Sequence, residues 1–64
     1  MKIGDKIVMF FHCAGLVSKE ECEITNFDNE TVELDDQWIF NKSDGTCIND
    51  NTFMGAKRTI ESIK

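Results

Sequence analysis

The sequence predicts a mainly β fold: a small antiparallel five-stranded barrel or bent sheet with a short C-terminal helix. Three observations carry this. Apolar residues come in short runs, and turn-forming clusters at Gly4-Asp5, Asp28-Asn29 and Ser43-Asp44-Gly45 break them up. Within the runs, apolar positions mostly alternate, as one face of a strand requires. The chain has 64 residues, which is one domain spanning 1–64. A chain this short buries only about 60% of its unfolded surface, enough for a small sheet but not for a large catalytic cleft.

The first strand covers Ile7 to Phe11. Ile7, Met9 and Phe11 face one way, and Val8, Phe10 and His12 the other. Both faces are apolar, so this strand is expected to be covered on both sides or to lie in an interface. Residues 14–20 read as a loop broken by Gly15 and Ser18. Residues 21–35 read as a hairpin. A three-residue loop, Phe27-Asp28-Asn29, pairs Ile24 with Val32 and Cys22 with Leu34; a five-residue loop closed by Thr25 and Thr31 gives the same register.

Residues 37–48 form a second hairpin around the Lys42–Gly45 turn. Asp and Ser cap locally, and Gly45 supplies a positive φ. Trp38 and Phe40 then share a face with Cys47, while Ile39 and Ile48 take the other. Finally, Phe53, Ala56, Ile60 and Ile63 recur every three or four residues, predicting a helix over 56–63. A strand there is the alternative, because Thr59 and Ile60 are β-branched. The core candidates are Ile3, Ile7, Val8, Met9, Phe10, Phe11, Leu16, Ile24, Val32, Leu34, Trp38, Ile39, Phe40, Ile48, Phe53, Met54, Ile60 and Ile63.

Charge is unevenly spread. The net charge is −5. Glu20, Glu21, Glu23, Asp28, Glu30, Glu33, Asp35 and Asp36 follow one another with no Lys or Arg between them. That excludes direct binding of nucleic acid through phosphates, which needs a basic surface. In the expected register Glu23 lies opposite Glu33 and Glu21 opposite Asp35. Like charges across a sheet cost up to about 1 kcal/mol per pair. Such a cluster raises carboxyl pKa values, so stability is expected to rise as pH falls from neutral.

No metal, cofactor or catalytic site is expected. An EF-hand frame with Gly45 at position six puts Lys42 at three and Phe40 at one, and neither can serve as a ligand there. His12 and Cys13 are adjacent, so on a strand they point apart, and the spacing of Cys13, Cys22 and Cys47 matches no zinc site. No nucleophile or phosphate-loop motif is present, and the chain reads as no enzyme. Three cysteines without CxxC, no opening signal and no long apolar run predict a cytoplasmic protein that crosses no membrane.

The strand spacing is that of an SH3-like barrel. In addition, Gly4, Asp5, Val32, Leu34, Phe40, Lys42, Gly45, Gly55, Ala56, Lys57 and Arg58 follow a pattern that resembles short uncharacterised phage-encoded proteins. The resemblance covers about the last two thirds of the chain and implies an SH3-like β-barrel of phage or mobile-element origin. It implies no function, and the acidic block departs from the pattern.

The functional expectation is an acidic protein-interaction module. It binds a basic surface of a host protein, one that itself binds nucleic acid, and inhibits it by charge mimicry. The contact residues are Glu20, Glu21, Glu23, Asp28, Glu30, Glu33, Asp35, Asp36 and Trp38. Trp38 is either a core anchor or a surface hot spot. The alternative is a structural module that forms homodimers or larger assemblies through strand 7–11.

Overall fold

In the computed structural model, residues 1–50 and 55–63 are described. They contain five strands: β1 (Lys6–Cys13), β2 (Leu16–Phe27), β3 (Thr31–Leu34), β4 (Trp38–Asn41) and β5 (Lys57–Ile60). The strands form one antiparallel sheet in the order β4-β3-β2-β1-β5. Isolated bridges from Phe40 to Cys47 and from Thr46 to Thr59 draw its two edges together. The result is a small, nearly closed β-barrel.

The core is built from residues of every strand. Met9, Cys22, Ile24, Val32, Leu34, Phe40 and Ile60 are buried, with Ile7, Trp38, Cys47 and Ile63 packed against them. Each large side chain buried in this way contributes about 1.5–3 kcal/mol. Ile3, Val8, Leu16 and Ile48, expected in the core, are exposed instead. Phe53 and Met54 lie outside the described residues.

Four features correct the sequence reading. The first is the β1–β2 connection. Residues 14–20 are not a loop, because Ala14 and Gly15 alone make the turn, with φ of 52° and 79°. Two successive left-handed residues are the tight hairpin turn whose twist matches the flanking strands. β2 therefore starts at Leu16 and pairs with β1 along its whole length, from Cys13 opposite Leu16 to Lys6 opposite Glu23.

The second is the β2–β3 register. Ile24 pairs with Leu34, and Phe27 with Val32, with a bulge between Ile24 and Asn26. Asp28 sets this register. Its carboxylate accepts the N–H groups of Glu30 at 2.8 Å and Thr31 at 2.7 Å, and the Thr31 hydroxyl at 3.1 Å. The loop thus moves toward the C-terminus of the expected one. The bulge absorbs the extra residue and keeps Ile24 and Leu34 facing inward.

The third is the C-terminus. Residues 57–60 are β5, not a helix, and 61–63 are irregular. β5 fills the free edge of β1, placing Ile60 opposite Met9 and Thr59 opposite Phe10. Pairing with β1 satisfies backbone groups that a local helix would leave open. The β-branched Thr59 and Ile60 suit the strand.

The fourth follows from the third. β1 is flanked by β2 and β5 and packs on the core through one face only; Val8 on the other face is 43% exposed. Strand 7–11 is central in the sheet, paired along its length with β2 and from Met9 onward with β5.

The 37–48 hairpin has the expected register. Phe40 lies opposite Cys47, and the Ile48 N–H donates to the Ile39 carbonyl at 2.8 Å. Gly45 has φ of 77° and is buried. Its N–H donates to Asn41 O at 2.8 Å, and its carbonyl accepts the Ile60 N–H at 2.9 Å. A Cβ at Gly45 would collide with the Ile60 carbonyl, whereas a Cβ at Gly15 would meet open space. Gly45→Ala is expected to cost about 3 kcal/mol or more, since it combines a φ penalty with loss of closure, and Gly15→Ala about 1–2 kcal/mol. Urea unfolding followed by Trp38 fluorescence checks this; equal losses would show that Gly45 does not hold the barrel shut.

Candidate functional site

The acidic block does not form the expected ladder. Glu23 lies opposite Lys6, Glu21 opposite Val8 and Glu20 opposite Met9 on β1. Glu33 lies between Asn26 on β2 and Ile39 on β4. The Glu23–Glu33 and Glu21–Asp35 pairs are absent; Glu23 lies beside Asp35 instead.

Several of these acids are used by the backbone. Asp28 organises its loop as described. Asp35 and Asp36 are the left-handed pair that closes β3–β4, with φ of 52° and 55°, and the Gln37 N–H donates to Leu34 O at 2.9 Å. Asp tolerates this conformation better than most residues. Asp35 also accepts the Glu23 N–H at 3.0 Å, while its own N–H donates to Glu23 O at 3.0 Å. The Asp36 N–H donates to the Thr25 hydroxyl at 3.0 Å.

Glu23 makes an ion pair with Lys6 at 3.5 Å. Both side chains are about half exposed, and such pairs contribute little. Among the described residues, no other acid of the block has an ion pair. Glu20, Glu21, Glu30 and Asp36 are exposed, and Glu33 is half-buried. They come from both sides of the Thr25 bulge and spread over β2, β3 and two turns.

Trp38 is half-buried and packs against the core. The Arg58 guanidinium carbon lies 3.8 Å from the Trp38 ring centre and 4.8 Å from that of Phe11. Asp50 holds the same arginine: Nη1 donates to Asp50 Oδ1 and the Arg58 N–H donates to Oδ2, both at 2.8 Å. The Asp50 side chain is only 5% exposed and that of Arg58 24%. Sequence reasoning missed this cluster. The available signal was that the chain has a single Arg and a single Trp.

The thiols and the histidine stay apart. His12 Nε2 lies 2.9 Å from the Thr59 hydroxyl. Cys13 is exposed at the end of β1, Cys22 is buried, and Cys47 sits beside Asn49. Burial, with help from the Asp35 hydrogen bond and the Asp35 and Glu20 charges, pushes the Cys22 thiol up to about 11. Burial also raises the Cys47 thiol. Thiols shifted in this direction are protonated at neutral pH and are poor nucleophiles. Among the described residues no group of three or more His, Cys, Asp and Glu side chains could hold a metal ion. Surface concavities are open; one with an apolar floor lies over Val8, Phe10 and Ile60, rimmed by Lys6 and Lys19. No helix among the described residues is long and apolar enough to cross a membrane.

Comparison with protein-family models, curated proteins and solved structures finds no match to this chain.

Two outcomes follow from this geometry. Removing Arg58 strands the Asp50 carboxylate in a nearly closed site, so Arg58→Ala is expected to cost about 3 kcal/mol, and Arg58→Lys less, because Lys keeps the charge but not the planar stack. Denaturant unfolding measures both; a loss within about 0.5 kcal/mol for Arg58→Ala would deny the cluster a structural role. The second concerns acid. Backbone N–H groups, from Glu30 and Thr31 at Asp28 and from Thr46 at Asp44, hold both carboxyls below their ordinary value of 3.8. A depressed folded pKa adds stability above the unfolded value and loses it as pH falls through the folded value. The melting temperature is therefore expected to drop below about pH 4, and less so in Asp28→Ala/Asp44→Ala. An unchanged acid limb in that variant would place the effect on other carboxylates.

Proposed function

We propose that this protein is an acidic interaction module that binds a basic surface on another protein. One observation carries the reading: within the block from Glu20 to Asp36, Glu23 alone has an ion pair among the described residues, so most of the block's charge faces solvent. Glu20, Glu21, Glu30, Glu33 and Asp36 are the contact residues. A partner that binds nucleic acid supplies the complementary surface, and occupation of its phosphate-binding groove makes this protein an inhibitor by charge mimicry. The barrel, SH3-like in strand order, acts as a rigid support for the acids. The reading assigns no catalytic step and no cofactor. It places the protein in a reducing cytoplasm, where free thiols persist. Phage or mobile-element origin suits such a role.

Assembly of copies is the second reading. In the form the sequence suggested, through strand 7–11, it uses the outer face of that strand. Val8 and Phe10 there floor the open groove between Lys6, Lys19 and Glu61.

Salt separates the first reading from plain solubility. Binding through exposed charges weakens as the screening length shrinks from about 8 Å at physiological salt to about 3 Å at 1 M. Protein captured from a lysate of the source cells on the immobilised chain should elute over that range. A Glu30→Gln/Glu33→Gln/Asp36→Asn variant should fail to capture it. Capture that survives both high salt and neutralisation overturns the reading.

A further inference from the structure

β2 is twelve residues long, but β3 pairs only with its last part, Ile24 to Phe27. From Leu16 to Glu21 all six residues are exposed, and no described strand pairs with their outer edge. The phase of the ladder shows which backbone groups are open there. The Ile24 N–H donates to Asp5 O across the β1 side, and the Glu23 carbonyl accepts from Asp35 on the opposite side. Backbone groups alternate along a strand. Ser18, Glu20 and Cys22 therefore bond toward β1, while Val17, Lys19 and Glu21 point N–H and C=O outward. An edge of this kind is a template for another strand.

We infer that the edge Val17–Glu21 pairs antiparallel with the same edge of a second copy. Charge selects this occupant. Lys19 and Glu21 lie on one face of β2, two residues apart, and both carry open backbone groups. Two-fold antiparallel pairing brings residues of like parity together. In one register Lys19 lies directly opposite Glu21 of the second copy. In the adjacent register each Lys19 lies directly opposite its own copy, a like-charge contact that disfavours it. The first register sets ammonium beside carboxylate twice across the two-fold axis, at distances where cross-strand side chains interact, and its like-charge contact is Glu20 with its own copy on the other face. Glu23 marks the limit of pairing, because Asp35 already occupies its N–H and carbonyl. The surface differs from the face of strand 7–11. The inference shares with the assembly reading only the identity of the partner, and it is independent of the acidic-surface reading.

The test uses the full chain. Sedimentation equilibrium between about 10 μM and about 1 mM should show the mass rising toward twice that of the monomer, the range of weak association. Lys19→Glu should raise the dissociation constant at least about fivefold, since two attractive contacts become repulsive. Lys19→Glu/Glu21→Lys should restore it, because the exchanged edge is again self-complementary. Amide hydrogen exchange supplies a backbone readout. The N–H groups of Lys19 and Glu21 should be protected only at high concentration, while those of Ser18 and Glu20, bonded to β1, stay protected throughout. A monomer over the whole range overturns the inference together with the assembly reading. A dimer indifferent to Lys19→Glu, with Lys19 and Glu21 exchanging freely, overturns the edge alone and returns the interface to Val8 and Phe10.

Discussion

The turn from Asn41 to Cys47 holds the two ends of the sheet together, and the rest of the molecule depends on it. An open five-stranded sheet has two free edges, and a short chain has few side chains with which to cover it. Here β4 and β5 are joined through one segment. Thr46 O accepts from the Asn41 N–H, Gly45 O accepts from the Ile60 N–H, and Thr46 bridges to Thr59. Asp44 stiffens the segment by accepting both the N–H and the hydroxyl of Thr46, at 2.9 and 2.7 Å. Only a residue without Cβ fits where Gly45 approaches β5. Once closed, the curved sheet buries Phe40 and Val32 completely and sets Ile60 over Met9.

Closure also fixes the place of Arg58. As part of β5 it lies opposite Phe11 on the inner side of the sheet, at the end where β4 carries Trp38. A guanidinium can enter such a site because it is planar and weakly hydrated, and Asp50 accepts two hydrogen bonds from the same residue. The cost of desolvating the two charges is thus offset by pairing and stacking. The consequence reaches the surface. The single Arg and one acid from outside the block neutralise each other, which leaves Lys6 as the block's ion-pair partner among the described residues.

What could be read from sequence follows the range of the interactions involved. The Lys42–Gly45 turn was legible, together with the Phe40–Cys47 register it imposes, because Asp44 and Gly45 act within a few residues. The barrel class was legible for the same reason. The Ala14-Gly15 turn was not, since Ala in the left-handed region is uncommon and the pairing of β1 with β2 supports it. The β2–β3 register failed at Thr25, where an inserted residue changes which side chains face each other, and the expected acidic pairs failed with it. The helix expected over 56–63 failed because its spacing describes the segment alone, whereas the free edge of β1 and the Gly45 carbonyl belong to distant parts of the chain. The Arg58 site was hidden for the same reason: Phe11, Trp38, Asp50 and Arg58 meet only after closure.

The molecule extends 33 Å along its long axis against 20 and 19 Å in the other directions, and its longest strand, β2, belongs to the β1–β2 hairpin. That shape bears on how a chain of net charge −5 could meet itself. Exposed charges are felt over about 8 Å at physiological salt, so acids beyond that distance contribute little repulsion at the hairpin. Locally the outward-bonding residues carry one Lys and one Glu, while Glu20 projects from the other face. The charges that decide an edge-to-edge contact are therefore Lys19 and Glu21, which attract in the register that sets them opposite each other, and Glu20, which meets its own copy in that register. Net charge describes the whole surface, but strand pairing samples a few residues of it. An acidic surface toward β3 and a locally balanced edge on β2 can thus coexist in one small barrel.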